Sequence, residues 1–277
     1  MIEIIESKFL GFCSGVERAY KVVKNLLEEN NKVYINKELV HNKEVINELK
    51  KKGLIFVDDI DKIPNESIFI IPAHGLSSDE LKKVKEKRLK VFDVTCPLVI
   101  KSKKIGEKIL KRGDYLIIIG EKNHQEIIFL YSNLKSEKTL ILDENDEIPE
   151  INGNVGVIIQ TTKSVEFYEK MKDKIKSKIK NVTFFDTICS ESKKRQEEVI
   201  DLAKKVDFLI VVGGKNSSNT KRLFEIAKKY VTSIHIENEN ELDEDYLKNV
   251  KKIGIVSGTS TPKKIIERVK EKCLKLQ

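Results

Sequence analysis

The stretch KVFDVTCPLVIKSKKIGEKILKRGDYLIIIG, Lys90 to Gly120, decides the fold. KVFDVTC is strand-like and ends at Cys96. PLVIKSKKIGEKILKRGD carries apolar residues at helical spacing, and YLIIIGE is a continuous apolar run of strand length. Pro97 suits a first helical position, where the N–H that proline lacks would have no partner anyway. Strand, cysteine, helix, strand is the order, and strands alternating with helices of this length imply an α/β class with mainly parallel sheets.

Read outward, the order recurs. Before Cys96 and after Cys13 come a helical GVERAYKVVKNLLEENN (15–31), KVYIN, a helical HNKEVINELKKKG (41–53), LIFVDD, SIFIIPAHG, a helical SSDELKKVKEKR (77–88) and KVFDVTC. From Cys96 to Cys189 the strands are YLIIIGE, TLILDE, VGVIIQTT and VTFFDTIC, and the helix SVEFYEKMKDKIKSKI (164–179) precedes the last. After Cys189 come the helical SESKKRQEEVIDLAKKV (190–206), the strands DFLIVVGG, SIHIEN and KIGIVSG, and the helical TPKKIIERVKEKC (261–273). The strand that would close this third round is missing, and the N-terminal MIEIIESKFLGFC can supply it. The expectation is three pseudo-threefold-related α/β units: 14–96, 97–189, and 190–277 completed by strand 1–13.

The cysteines are far apart. Cys13, Cys96, Cys189 and Cys273 are separated by 83, 93 and 84 residues, which leaves no paired spacing of the zinc or redox kind. Four in 277 residues also make no disulfide scaffold. Cys13, Cys96 and Cys189 end strands and begin helices, where α/β proteins gather function. Cys273 falls late in a helix and reads as a small buried hydrophobe. His41, His124 and Ser217 each stand 28 residues beyond the first three cysteines, and His74, Thr161 and Ser260 stand 61, 65 and 71 beyond them. A pseudo-threefold chain would bring these polar residues around one cavity with three thiols at its floor.

Helix N-termini favour thiolates. Three thiolates could hold zinc with a histidine, but structural zinc sites use closely spaced pairs. They could also hold a 4Fe-4S cluster, and with only three cysteines one iron would keep an open position. Ser217, Ser218 and Asn219 can cap a helix and cradle an anion at once. Glu126, two residues after His124, is a carboxyl placed to deliver a proton.

Composition excludes other classes. Clustered apolar runs argue against disorder, and none approaches the roughly 18 apolar residues of a membrane span. MIEIIESKF carries charges where a secretory signal would be apolar, so a cytoplasmic, non-membrane protein is expected. Lys plus Arg number 52 and Asp plus Glu 44, a net +8, carried mostly on helical faces without interleaved aromatics, so no nucleic-acid partner is expected. GGKNSSN is neither a Walker A loop nor GxGxxG, so neither ATP nor a dinucleotide is expected to bind.

The runs GFCSGVERA, LVHN, PAHG, DVTCPLV, NHQE, QTT, DTIC, RQ, NSSNT and SGTSTP together resemble the 4-hydroxy-3-methylbut-2-enyl diphosphate reductase family over essentially the whole chain. The resemblance implies a 4Fe-4S cluster on Cys13, Cys96 and Cys189. It implies diphosphate binding by His41, His74, His124, Ser217, Ser218, Asn219 and Ser260, with Glu126 and Thr161, beside His124, positioning and protonating the substrate hydroxyl. The reaction would be reductive dehydroxylation of an allylic diphosphate to isopentenyl and dimethylallyl diphosphate, the last step of the non-mevalonate pathway, with reduced ferredoxin or flavodoxin as donor. Glu191 and Ser192 stand where the family usually has Ala-Thr, and VSGT precedes Ser260 where it usually has a more Ala/Gly-rich run. The alternatives are another three-cysteine 4Fe-4S enzyme, such as a quinolinate synthase, and a basic nucleic-acid-binding or scaffold protein with structural cysteines.

Overall fold

The computed structural model describes residues 3–30 and 32–276; Met1, Ile2, Asn31 and Gln277, which the expected first strand, first helix and third unit include, lie outside them. In chain order the elements are β1 (Glu3–Glu6), α1 (Ser14–Glu29), β2 (Val33–Ile35), α2 (Lys43–Lys51), β3 (Leu54–Phe56), β4 (Ile68–Ile71), α3 (Ser78–Glu86), β5 (Lys90–Asp93), α4 (Pro97–Lys111), β6 (Tyr115–Ile119), α5 (Gln125–Leu134), β7 (Thr139–Leu142), β8 (Val155–Ile159), α6 (Val165–Lys176), β9 (Val182–Phe184), α7 (Ser190–Ala203), β10 (Phe208–Val212), α8 (Ser218–Ala227), β11 (Ser233–Ile236), β12 (Lys252–Ser257) and α9 (Lys263–Lys275). The fold is the expected α/β class.

The strands form three four-stranded sheets, ordered β3-β2-β4-β5, β7-β6-β8-β9 and β11-β10-β12-β1. Every pairing is parallel. The order within each sheet is second, first, third, fourth, and in the last sheet the fourth place is taken by β1, with Glu3 opposite Lys252 and Glu6 opposite Ile255. Parallel neighbours need crossover connections, which accounts for the helices between strands.

By compactness the chain divides into two units. One comprises Met1–Glu17, Val40–Leu49 and Ser190–Gln277, and the other Arg18–Leu39 and Lys50–Cys189. The first unit contains the sheet of β10, β11, β12 and β1. Phe208, Ile210 and Val212 of β10 pack with Ile265, Ile266 and Val269 of α9. Leu209 and Val211 face the other way, onto Val199 of α7 and Leu223 of α8. The second unit contains the other two sheets. In β6, Ile117 and Ile119 join Phe167 and Met171 of α6, whereas Leu116 and Ile118 join Ile109 of α4 and Leu130 of α5. Central strands covered on both faces must be apolar at every position, which is why YLIII and FLIVV show no alternation.

Just after the edge strands β5 and β9, side chains turn the chain. Asp93 Oδ1 accepts from the Thr95 amide at 2.8 Å, and Asp186 Oδ1 accepts from the Ile188 amide at 3.1 Å. After β1, Ser7 Oγ accepts from the Phe9 amide at 3.0 Å. Such i to i+2 bonds rotate the chain out of the sheet, and in each case a cysteine and a helix follow.

Candidate functional site

Each of three cysteines is anchored by its peptide N–H to the carbonyl of a loop that leaves a neighbouring strand. Cys13 donates to Thr259 O at 3.0 Å, Cys96 to Ala73 O at 2.8 Å and Cys189 to Thr161 O at 2.9 Å. All three side chains are partly exposed, and none of the four cysteines is in a disulfide. Pro97 begins α4 directly after Cys96, as its sequence position predicted. The bonds put Thr161 in register with Ala73 and Thr259, one residue before His74 and Ser260, so the second round's landmark is offset by one position from those of the other two. Cys273 differs: it is fully buried in the α9 core, and burial pushes its thiol up to about 11.

In the second unit, the loops after β4, β6 and β8 bring four predicted residues together. His124 caps α5, its Nδ1 accepting from the Glu126 amide at 3.2 Å. His74 Nδ1 lies 3.2 Å from Gln125 Oε1, and the rings of His74 and His124 meet edge to face with centroids 5.4 Å apart. Glu126 has no exposed surface. Its Oε1 accepts from the Thr161 amide at 2.8 Å and its Oε2 from the Thr161 hydroxyl at 2.6 Å. Burial raises the Glu126 pKa to about 7, against the opposing pull of the Thr161 bonds. Desolvation penalises the charged form, and here it wins. The result is a carboxyl that is partly protonated near neutral pH, as a general acid requires. Thr161 does two jobs, because its carbonyl holds the Cys189 amide while its N–H and hydroxyl hold the acid.

In the first unit, the loops after β10 and β12 gather His41, Ser217, Asn219 and Ser260. The Ser260 hydroxyl reaches the His41 carbonyl at 3.4 Å. That same carbonyl leaves no room at Gly214, where a Cβ would stand 2.0 Å from it. Ser217 caps α8, its Oγ accepting from the Thr220 amide at 3.3 Å, and Ser218 opens that helix. Asn219 is 3% exposed. Its Oδ1 accepts from the Ser192 hydroxyl at 3.0 Å, and Gln196 Nε2 donates to Ser192 Oγ at 3.2 Å. The Asn219 amide nitrogen has no partner. A buried amide donor left unpaired beside a helix N-terminus is chemistry suited to an anion.

Sequence reasoning gave no role to Ser192, Gln196, Gly214 or Arg195. Arg195, 3% exposed, donates through Nη1 to Phe9 O at 2.6 Å and Ser257 O at 2.9 Å, and through Nη2 to Gly11 O at 2.8 Å. It ties the segment leading into Cys13 to the end of β12. The signal for it was the pair RQ, whose partners lie too far away in sequence to be inferred. His235 is an ordinary satisfied histidine, its Nε2 2.9 Å from Gly213 O.

A family model described as LytB protein matches residues 4–274. The chain belongs to the LytB family. A LytB relative from Petrotoga mobilis, named 4-hydroxy-3-methylbut-2-enyl diphosphate reductase, is 41% identical over 98% of this chain and 96% of its own length. One of the same name from Clostridioides difficile is 39% identical over 95% and 96%. The solved structure of the Plasmodium falciparum E-1-hydroxy-2-methyl-but-2-enyl-4-diphosphate reductase superposes with a TM-score of 0.92 at 31% identity, covering 98% of this chain and 87% of that one. The expected family resemblance therefore holds over nearly the full length. Among the described residues, no helix is long and apolar enough to cross a membrane.

The three cysteines fit the LytB family's implied cluster in number, in their strand-to-helix setting and in their access to the surface, while Cys273 is too buried to be a fourth ligand. Among the described residues, no three His, Cys, Asp or Glu side chains are grouped as around a single metal ion. A multi-iron cluster places each cysteine on a different iron and does not need that grouping.

Proposed function

We propose that this chain reduces 4-hydroxy-3-methylbut-2-enyl diphosphate to isopentenyl and dimethylallyl diphosphate, the last step of the non-mevalonate isoprenoid pathway, in the cytoplasm. The single observation that carries the reading is Thr161 holding both a buried, elevated-pKa acid and a cysteine backbone. A proton donor fixed beside a cysteine ligand is what removal of an allylic hydroxyl demands. The nearly full-length likeness to relatives of that name supports the substrate.

Three α/β repeats, 14–96, 97–189 and 190–277 with 1–13, would surround a 4Fe-4S cluster on Cys13, Cys96 and Cys189. When bound, that cluster supplies one-electron chemistry and an iron vertex able to take up an oxygen. His41, His74, His124, Ser217, Ser218, Asn219 and Ser260 bind the diphosphate, with the Asn219 amide donating. Thr161 orients Glu126 toward the hydroxyl, with His124 at the adjoining cap, and Glu126 supplies a proton. The balance consumes two electrons and two protons; the C–O bond breaks, a C–H bond forms and water leaves. Reduced ferredoxin or flavodoxin delivers the electrons.

The test is anaerobic purification with iron and sulfide counts, followed by incubation with 4-hydroxy-3-methylbut-2-enyl diphosphate, dithionite and methyl viologen. Iron and sulfide near four of each per chain and the two isomeric products are expected. An iron-replete protein that leaves the substrate unreduced overturns the proposal.

A further inference from the structure

Beside Cys96 the second unit carries a surface cleft of about 450 Å³ lined by Arg18, Asp93, Thr95, Pro97, Lys101 and Lys104. The residues on both sides of Cys96 are thus part of its wall. Arg18 is exposed and donates through Nη2 to the Thr95 carbonyl at 2.8 Å, so a surface cation is tied directly to the backbone next to the cysteine. Lys101 and Lys104 stand three residues apart on α4, both exposed, and Lys108 continues the same ridge. Lys103 pairs with Glu107 at 3.1 Å, but among the described residues no carboxylate pairs with Lys101, Lys104 or Lys108. The lone acid of the cleft, Asp93, is engaged by the Thr95 amide and hydroxyl. Val91 and Phe92, just before Asp93 on the edge strand β5, are 40% and 39% exposed.

A cleft with three cations to one carboxylate and an apolar strand edge next to it is the counterpart of an acidic protein surface. Complementary charge raises encounter rates and fixes orientation, and transient redox encounters use small interfaces. The glycine-containing loop GGKNSSN matches neither a Walker A loop nor GxGxxG.

We infer that the Arg18–Lys101–Lys104 cleft is the docking surface for a small acidic one-electron carrier protein of ferredoxin type, which approaches Cys96 there. The inference rests on the function proposed above. Each encounter would pass one electron from the reduced carrier, which leaves oxidised, to the cluster that Cys13, Cys96 and Cys189 would hold, and two encounters would serve one substrate. The cations act on association and take no part in the chemistry at the hydroxyl.

The test compares wild type with Lys101→Glu/Lys104→Glu and with Lys272→Glu/Lys275→Glu, which makes the same charge change on α9. Binding of an oxidised acidic ferredoxin to the iron-replete proteins is measured by calorimetry at low salt, and turnover is measured with the same ferredoxin reduced and with dithionite plus methyl viologen. The expected result is a tenfold or larger weakening of ferredoxin binding and rise in its KM for the α4 variant alone, with viologen-driven turnover unchanged. High salt should weaken wild-type binding toward the level of the variant. Unchanged binding in the α4 variant, or equal weakening in the α9 variant, overturns the inference. Because binding is read without turnover, a wild type that binds ferredoxin but fails to reduce the allylic diphosphate refutes the proposed reaction and leaves the docking surface standing.

Discussion

Glu126 and Thr161 are joined by two hydrogen bonds, 2.8 Å from the Thr161 amide and 2.6 Å from its hydroxyl, around a carboxyl that has no exposed surface. The pair makes the pH dependence of the protein's stability predictable. The folded pKa, about 7, lies above the ordinary 4.5, so folding favours the neutral acid. That contribution is complete below about 4.5 and is lost as pH rises through about 7, amounting to about 3 kcal/mol at roughly 1.4 kcal/mol per unit. Glu126→Gln, neutral at all pH values, should lack it. Thermal melts at pH 5 and pH 8 should diverge more for wild type than for the variant, and parallel curves would reject the assignment.

Thr161→Val removes the hydroxyl that favours the carboxylate and leaves the Thr161 backbone bonds to Glu126 and Cys189 in place. The Glu126 pKa should therefore rise further. In the pH profile of turnover, the fall on the alkaline side should begin near 7 in wild type and at higher pH in the variant. An unmoved profile would show that the hydroxyl does not tune the acid.

Ser192 passes the orientation of Gln196 to Asn219 through two hydrogen bonds of 3.2 and 3.0 Å. Ser192→Ala should raise the KM for the allylic diphosphate about three- to tenfold, the worth of one hydrogen bond, with kcat little changed. Ser192→Thr should restore it. A loss confined to kcat would contradict a binding role for Asn219.

Serine in place of Cys13, Cys96 or Cys189 should remove most of the iron and visible absorbance from anaerobically purified protein, whereas Cys273→Ser should retain both. Full iron content in any of the first three variants would strike that residue from the ligand set.

Arg195→Met should destabilise the first unit by about 3 kcal/mol, because the carbonyls of Phe9, Gly11 and Ser257 lose their donor. The measurement is the urea midpoint. A change below about 1 kcal/mol would mean that the Phe9–Gly11 segment is held by other contacts.

Local pattern alone made the strands, the helices and three cysteine junctions legible. YLIII and FLIVV read as strands from their apolar runs, and Pro97 after Cys96 suited the first position of a helix. The alignment of His41, His124 and Ser217, 28 residues past their cysteines, also needed nothing but counting. These features depend on neighbours within a few residues, where apolar periodicity and proline sterics act. Tertiary structure decided what the side chains do. It buried Glu126 against a threonine 35 residues away and turned Arg195 onto carbonyls 184 and 186 residues distant. Burial and hydrogen-bond pairing depend on which distant segments share a volume, and a carboxyl acquires a pKa near 7 only once water has been excluded from around it.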